Sequence, residues 1–138
     1  MKQVLCSGGF IVKGDLYLFG KREPGKDWAP GLWDIVGGKA RKRETPFETL
    51  EREILEETGI SVHAAEMVRT MEVKDEQGNH LFTYHIFVVT AYTGTPVNCS
   101  AEHTSLQWFS RDELKEIALA LPEYLDIIDS WKFPPDYF

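Results

Sequence analysis

The segment TPFETLEREILEETGI, residues 45–60, restricts the fold more than any other part of the chain. Thr45, a proline and then Glu48 are typical of a helix start, because threonine and glutamate cap each other's backbone N–H groups. Proline at the first helical position loses no hydrogen bond. Gly59 suits the left-handed residue that commonly ends a helix. The segment therefore predicts a helix over residues 46–58.

This helix has two distinct faces at about 100° per residue. The apolar face carries Phe47, Leu50 and Ile54. The acidic face carries Glu53, Glu56 and Glu57. Like charges three and four residues apart repel one another. The acidic face is therefore either a solvated surface or the binding site of something strongly positive.

Composition limits the partners of the chain. Its 138 residues include 43% hydrophobic ones, which is enough for one core, so we expect a single domain over residues 1–138. The 22 acids and 15 bases give a net charge of −7, which argues against broad binding to nucleic acid or to an anionic membrane. A small anionic substrate stays compatible with this charge if a divalent cation reverses the local field.

The cysteines and the apolar segments indicate a cytoplasmic protein. Cys6 and Cys99 lie far apart without a CxxC motif, so neither a disulfide framework nor a zinc site is expected. Two buried, reduced thiols are the expected state. The apolar run near the N-terminus is too short and interrupted for a signal peptide, and no segment is long enough to span a membrane.

Apolar runs and turn residues predict the remaining elements. The expected strands are residues 3–13 with a kink or bulge at a glycine pair, then 16–22, 32–36, 60–74, 80–92 and 106–109. Ser110 and Glu113 form a second capping box that opens a helix. Another helix starts at Pro122, with an apolar stripe of Leu125, Ile128 and Trp131. This order favours a mixed sheet packed between helices.

The segment GGKARKRETPFETLEREILEETGI resembles the Nudix box, in which glycine, glutamate and a REUxEExGU run (U, aliphatic) recur at fixed spacing. The matching positions are Gly38, Glu44, Arg52, Glu53, Ile54, Glu56, Glu57, Gly59 and Ile60. The chain departs from common relatives at Val36, where proline is usual, and at Arg41 and Arg43, where glutamate and glycine are usual. The resemblance implies an α/β/α sandwich with a mixed sheet and a loop–helix–loop catalytic motif.

The resemblance also implies hydrolysis of a diphosphate linkage in a nucleoside diphosphate joined to another group. The cofactor would be Mg²⁺, with Mn²⁺ as an alternative, and hard cations of this kind take oxygen ligands. The implied ligands are Glu53, Glu56, Glu57 and the backbone carbonyl of Gly38. A bound cation would relieve the repulsion along the helix. Arg52 would orient the carboxylates, and Glu44 would support the loop and helix.

Two carboxylates are candidates for the base that deprotonates the attacking water: Glu53, and Glu102 in the loop SAEHTS. His103 beside it is expected to be a surface histidine. Lys39 and Arg22 are candidate phosphate contacts, with plain solvent exposure as the alternative. The run KARKR, residues 39–43, could add positive charge near the phosphates, but a solvated loop is the favoured interpretation.

The substrate is the least determined property. Aromatic residues that could stack on a base are Trp28, Trp33, Phe82 and Tyr84, and late-helix candidates are Glu123 and Tyr124. Motifs typical of larger dinucleotide substrates are missing, which favours a small-molecule (d)NTP or modified (d)NTP as the substrate. The alternatives are an ADP-ribose or sugar-nucleotide pyrophosphatase, a non-catalytic nucleotide-binding Nudix module, and the isopentenyl diphosphate isomerase class, whose catalytic cysteine has no clear match here.

Overall fold

A computed structural model describes residues 1–132 of the chain. Within this range the strands are β1 (Lys2–Lys13), β2 (Leu16–Arg22), β3 (Trp33–Asp34), β4 (Val36–Lys39), β5 (Ser61–Lys74), β6 (His80–Thr93) and β7 (His103–Ser110). The helices are α1 (Pro46–Thr58), α2 (Arg111–Leu114) and α3 (Glu123–Lys132). None of these helices is long and apolar enough to cross a membrane.

The strands form one mixed sheet with β1 at its centre. Its neighbouring strands follow the order β3-β2-β1-β6-β5, while β4 pairs with β1 and β7 pairs with β2. The β1–β6 pairing is parallel, and the other pairings among the described strands are antiparallel. The short β4 next to β1 brings the start of the glutamate-rich motif to the sheet, one loop away from α1.

The glycine pair of β1 does not form the predicted kink or bulge. β1 pairs with β6 in one unbroken register, and the register shifts of this part of the sheet lie in β5. Both glycines instead make room for neighbours. A Cβ on Gly8 would lie 2.8 Å from Ile35 Cδ1, and a Cβ on Gly9 would lie 2.9 Å from Leu50 Cδ1. The glycines therefore allow side chains to pack directly onto the strand.

Helix α1 forms as the sequence predicts. Thr45 and Glu48 make both hydrogen bonds of the capping box, and Gly59 ends the helix with a φ of 77°. Leu50 and Ile54 are fully buried against one face of the sheet, with Phe47 partly buried beside them. Burial of these side chains fixes the rotation of the helix, and with it the direction of every acidic side chain.

The other face of the sheet is covered by α2 and α3, which completes the predicted α/β/α layers. The capping box of Ser110 is present, but α2 is only four residues long. In α3 the side chains buried in the core are those of Tyr124, Ile127 and Ile128. The predicted stripe was therefore partly wrong: Leu125 and Trp131 are only partly buried.

Candidate active site

Arg52 lies at the centre of a cluster of acidic side chains on α1 and the loop before it. Its Nε donates to Glu44 Oε2 at 2.7 Å and its Nη2 to Glu44 Oε1 at 2.9 Å. Its Nη1 donates to Glu53 Oε1 at 2.7 Å and to Glu56 Oε2 at 3.3 Å. Nη2 also donates to the carbonyl of Lys39 at 3.0 Å. The planar guanidinium thus connects three carboxylates and the end of β4.

Glu44 connects this cluster to the loop. Its Oε1 also accepts hydrogen bonds from the backbone N–H of Arg41 at 2.7 Å and from Thr49 Oγ1 at 3.1 Å. The hydrogen bonds from Arg52 and from the Arg41 backbone lower the pKa of Glu44 to about 2. The same contacts raise the pKa of Arg52, so both partners stay charged at neutral pH.

Glu53 lies against the glycine pair of β4. A Cβ on Gly38 would come within 2.5 Å of the carboxyl carbon of Glu53, and a Cβ on Gly37 would overlap the carbonyl oxygen of Ser7. Position 37 therefore admits only glycine, whereas a side chain at position 38 would push the Glu53 carboxyl group aside. The backbone of Gly38 and the Glu53 carboxyl group are direct neighbours.

Glu56 is turned away from this point. Its side chain is 47% exposed and also pairs with Arg41 Nη2 at 3.3 Å. Within residues 1–132, no three His, Cys, Asp or Glu side chains lie close enough together to form a ready cation site. The expectation of one acidic face was thus only partly right: Arg52 and Arg41 draw Glu56 outward, while Glu57 turns inward.

Glu57 is almost fully buried, with 2% exposure. Its Oε2 is buried without a hydrogen-bond partner in the described structure, although the Gly37 N–H hydrogen-bonds to the carboxyl group. Burial, and after it the negative charges of Glu53, Glu102 and Asp34, raise the pKa of Glu57 to about 9. The sequence did not distinguish this acid from its neighbours on the helix.

His103 was wrongly expected at the surface: its exposure is 5%. The last strand begins three residues earlier than predicted, so His103 pairs with Arg22 at the edge of the sheet. Its ring packs over Gly20, and its Nδ1 lies 3.9 Å from Glu57 Oε1. Burial and the charge of Arg22 lower the pKa of His103 to about 4. A glycine inside β2 was the signal for this close packing.

Glu102 lies where its charge reaches the buried acid. Its Oε1 pairs with Lys26 Nζ at 2.9 Å, and its side chain is 46% exposed. Its backbone carbonyl accepts a hydrogen bond from Glu23 N at 3.0 Å, which ties this loop to the end of β2. Sequence reasoning missed Lys26, because nothing in the sequence joins residues so far apart.

A row of aromatic side chains lies on the same side of the sheet as α3. Trp28 stacks on Tyr84 at 6.2 Å between ring centroids, and Tyr84 stacks on Phe82 at 6.3 Å. Trp28 is 36% exposed. Trp33, by contrast, packs edge-on against Phe109 and belongs to the core. Three of the four aromatic candidates therefore lie together, and the fourth does not.

Arg22 lies beneath this row, where it contacts Trp28 and Asp34. Its Nε donates to the carbonyl of Trp28 at 2.7 Å, its guanidinium lies 5.1 Å from the centroid of the Trp28 ring, and its Nη1 lies 3.8 Å from Asp34 Oδ2. These contacts give Arg22 a role in holding the loop of residues 23–31. Lys39 is exposed. The phosphate roles of Arg22 and of Lys39 stay predictions.

Asp34 is a buried acid that sequence reasoning did not single out. Its Oδ1 accepts hydrogen bonds from the Tyr124 hydroxyl and from Ile35 N, and burial raises its pKa to about 6. An acid within the apolar run LWDIV was the available signal. Tyr124 is 3% exposed, which contradicts its expected role as a base reader. Glu123 is partly buried at the start of α3.

The two cysteines differ in their environments. Cys6 is buried in β1, where burial raises its pKa to about 11. Cys99 is exposed, so the expectation of two buried thiols was wrong for it. It lies in the loop before β7, whose backbone docks on the end of α1 through Cys99 N to Glu57 O at 2.9 Å. That docking leaves the thiol outside the core.

Comparison with known proteins identifies the family of the chain. The NUDIX domain family matches residues 7–130. The CTP pyrophosphohydrolase of Escherichia coli strain K12 is 30% identical over 120 residues, which cover 87% of this chain and 85% of that protein. The oxidized purine nucleoside triphosphate hydrolase of Mus musculus is 32% identical over 104 residues, or 75% of this chain. The match spans only 64% of the mouse protein's own length.

Solved structures give the same result. The solution structure of the E. coli ORF135 protein superposes with a TM-score of 0.82 at 26% identity, covering 100% of this chain and 96% of that one. A MutT NUDIX hydrolase from Burkholderia pseudomallei superposes with a TM-score of 0.74 at 25% identity, covering 82% and 87%. With the motif, the fold and these relatives in agreement, the chain belongs to the Nudix family and is an enzyme that acts on phosphoric anhydrides.

Proposed function

We propose that this enzyme hydrolyses nucleoside triphosphates, including modified ones, to the monophosphate and pyrophosphate, with Mg²⁺ or Mn²⁺ as cofactor. The observation that carries the proposal is the buried Oε2 of Glu57, which has no partner although it lies beside other acids. Buried polar atoms in native proteins rarely stay unpaired, so such an atom indicates a missing ligand. The E. coli relative, a CTP pyrophosphohydrolase, and the mouse relative, an oxidized purine nucleoside triphosphate hydrolase, support a triphosphate substrate.

The residues around Glu57 fit a hard divalent cation. Such cations take carboxylate and carbonyl oxygens, together with water and substrate phosphate. We assign Glu53, Glu56, Glu57 and the carbonyl of Gly38 as the protein ligands. The absence of a side chain at Gly38 leaves its backbone open beside Glu53, which suits this assignment. When bound, the cation would stabilise the negative charge that develops on the phosphates during attack.

Arg52 and Glu44 position the ligands in this proposal. Arg52 contacts Glu53 and Glu56 through one nitrogen of its rigid fork and Glu44 through the others. Glu44 in turn fixes the loop that joins Gly38 to α1. The two residues therefore set the distance between the β4 carbonyl and the helix carboxylates, without contact to the reacting phosphorus.

The attacking water needs a proton acceptor, for which Glu53 and Glu102 are the two candidates. Each has one oxygen in an ion pair, with Arg52 and Lys26 respectively. The side chain of Glu102 is 46% exposed, against 17% for Glu53. Glu102 lies on a loop and is not an assigned cation ligand, so it could contact the attacking water without giving up a metal contact. The kinetics of Glu102→Gln distinguishes the candidates, because loss of a base lowers kcat, whereas a change at Glu53 also removes a cation ligand.

The rest of the substrate would extend over the α3 face of the sheet, and we treat residues 1–138 as one domain with one cleft. The stacked row of Trp28, Tyr84 and Phe82 offers a flat apolar surface for a base. Lys39 stands at the end of β4, next to the Arg52 cluster, where a phosphate contact is possible. Discrimination between bases depends on buried polar groups that the wrong base would leave unpaired.

The test is a panel of (d)NTPs, oxidised (d)NTPs, ADP-ribose, sugar nucleotides and dinucleoside polyphosphates, assayed with Mg²⁺ and with chelator. We expect a triphosphate to give the highest kcat/KM, with monophosphate and pyrophosphate as products and no turnover in chelator. Glu51→Gln, an exposed acid on the same helix, serves as a control that keeps full activity. A tenfold higher kcat/KM for ADP-ribose or a sugar nucleotide, about 1.4 kcal/mol, would overturn the substrate assignment.

A further inference from the structure

Two buried polar groups face each other behind the acidic cluster. His103 Nδ1 and Glu57 Oε1 are 3.9 Å apart, and each side chain is only 3% exposed. His103 Nδ1 and Glu57 Oε2 are both buried without a hydrogen-bond partner in the described structure. A buried polar group without a hydrogen bond destabilises the fold by about 1–3 kcal/mol. Two such groups therefore cost a large fraction of the stability of a small protein.

The fold builds a specific place for the His103 ring. A Cβ on Gly20 in β2 would lie 2.6 Å from Cγ and Cδ2 of His103, so any other residue at position 20 would push the ring away. The β2–β7 register shifts at this point, between Lys21 and Arg22. On the other side, Asn98 Nδ2 donates to the carbonyl of His103 at 2.8 Å. The ring is thus fixed from the strand and from the loop.

Burial and the nearby positive charges keep the ring neutral. Burial first, and then the charges of Arg22 and Lys26 against the opposing charge of Glu102, lower the pKa of His103 to about 4. Glu57 is the carboxyl group that the ring faces at short range. A neutral imidazole has one N–H group, and the acceptor available to it decides which nitrogen carries the proton.

We propose that His103 is a positioning residue that carries its proton on Nδ1. Its Nδ1–H donates a hydrogen bond to Oε1 of Glu57 once that carboxylate binds the cation. The inference rests on the proposed function, because it takes Glu57 as a cation ligand. Closing the gap to a normal hydrogen bond needs a movement of about 1 Å. Hydrogen bonds at catalytic groups are often long in the ligand-free state and shorten on binding.

The consequence is that the side chain of His103, at the start of β7, holds the carboxylate of Glu57 on α1. Hydrogen-bonded partners of metal ligands typically change metal affinity or activity by tenfold to a hundredfold when they are removed. If the ring served only to fill space over Gly20, any flat side chain of similar size would replace it.

The test compares two variants of His103 by Mn²⁺ binding without nucleotide, using electron paramagnetic resonance of free Mn²⁺. His103→Phe keeps a flat ring but has no donor, so we expect its Kd for Mn²⁺ to rise about tenfold. His103→Asn keeps an N–H near the Nδ1 position and should stay within about threefold of wild type. His63→Phe, at an exposed position, is the matched control and should bind Mn²⁺ normally.

A kinetic measurement separates positioning from packing. The His103→Phe variant should lose turnover at low Mn²⁺ and recover most of it at saturating Mn²⁺, with little change in KM for the nucleotide. Wild-type Mn²⁺ affinity in His103→Phe would overturn the proposal. So would equal weakening in the Phe and Asn variants, since a lost donor could not explain it.

A measurement on the unmodified protein keeps the proposal testable if the Phe variant fails to fold. Nitrogen NMR of ¹⁵N-histidine-labelled protein with saturating Mg²⁺ identifies the protonated ring nitrogen of each histidine. We expect the Nδ1–H form for His103, and the Nε2–H form would overturn the inference. The Glu57→Gln variant distinguishes a failure of the proposed function from a failure of this inference. Unchanged Mn²⁺ binding in Glu57→Gln would refute both the assignment of Glu57 as a ligand and the inference about His103. Lost binding there with unchanged binding in His103→Phe would refute the inference alone.

Discussion

The acidic side chains on the two sides of helix α1 differ in burial and in ion pairing. On the outer side, Glu44, Glu53 and Glu56 share Arg52, and Glu56 also contacts Arg41. On the inner side, Glu57 is buried beside His103, and one of its oxygens has no partner. Charge on the outer side is compensated within the chain, whereas the inner side lacks a positive partner among the described residues that contact it.

This difference indicates which part of the site serves the fold and which serves the reaction. Ion pairs on the outer side connect loop, strand and helix, so they are useful without any ligand. A buried carboxyl group with a raised pKa weakens the fold when it ionises, unless a cation arrives. We therefore attribute the outer side mainly to positioning and the inner side to cation binding.

The largest expected effect comes from removing the inner acid. Glu57→Gln should lower kcat about a thousandfold, because several kcal/mol of charge stabilisation in the transition state depends on the cation. Steady-state hydrolysis of the best triphosphate measures this loss, with Glu51→Gln as the control on the same helix. Activity within tenfold of wild type would show that the inner side is not the cation site.

The stability of Glu57→Gln should depend on pH differently from that of the wild type. In chelator, native Glu57, whose pKa is about 9 against a usual 4.5, binds more protons than the unfolded chain between these values. Stability of the wild type should therefore fall as pH rises through this window. Glu57→Gln should remove this pH dependence above pH 6, and its free energy of unfolding at pH 8 should exceed that of the wild type by about 1 kcal/mol. Melting curves at several pH values check this, and parallel curves for the two proteins would contradict it.

Glu102 tests whether the inner side also supplies the base. If it accepts the proton of the attacking water, Glu102→Gln should lower kcat about a hundredfold and leave KM nearly unchanged. Glu116→Gln, an exposed acid on the surface, is the control. An unchanged kcat would leave Glu53 as the base and place the whole proton transfer on the outer side.

Arg52→Lys tests the outer side. Lysine keeps the charge but not the planar fork, so it cannot contact Glu44, Glu53 and Glu56 together. We expect kcat to fall about thirtyfold through misplaced ligands, a smaller loss than for the inner acid. The comparison would be reversed if Arg52→Lys lost more activity than Glu57→Gln.

The smallest expected effect concerns the backbone of the outer loop. Arg43 has a φ of 71°, which costs a non-glycine residue about 1 kcal/mol. Arg43→Gly should raise stability by about 0.5–1 kcal/mol and leave kcat within twofold of wild type, since the side chain is exposed. Thermal melting and one activity measurement suffice. A large loss of kcat would assign a phosphate contact to this arginine.

The sequence could predict α1, because its caps and apolar face are local features that the structure retains. It could also predict the position of the acids, since the Nudix spacing is fixed within the segment. It could not separate Glu57 from Glu53 and Glu56. Their burial depends on where the sheet and the loop before β7 meet the end of the helix, and these contacts join distant parts of the chain.

His103 and Cys99 illustrate the same limit. A polar loop sequence predicts exposure for the histidine, but Gly20 on another strand provides the space that buries it. The thiol was expected inside because cysteine is commonly buried, yet its loop docks through the backbone and leaves it outside. In both cases the decisive partner lies tens of residues away and has no local signature.

Crystals soaked in Mn²⁺ test the central claim most directly, because anomalous scattering locates the ion without reference to activity. We predict a peak in contact with Oε2 of Glu57 and with the carbonyl of Gly38, with Glu53 and Glu56 as further ligands. The matched Glu57→Gln crystal should lose the peak. A peak confined to the outer carboxylates Glu44 and Glu56, with Glu57 still unpaired, would contradict the account.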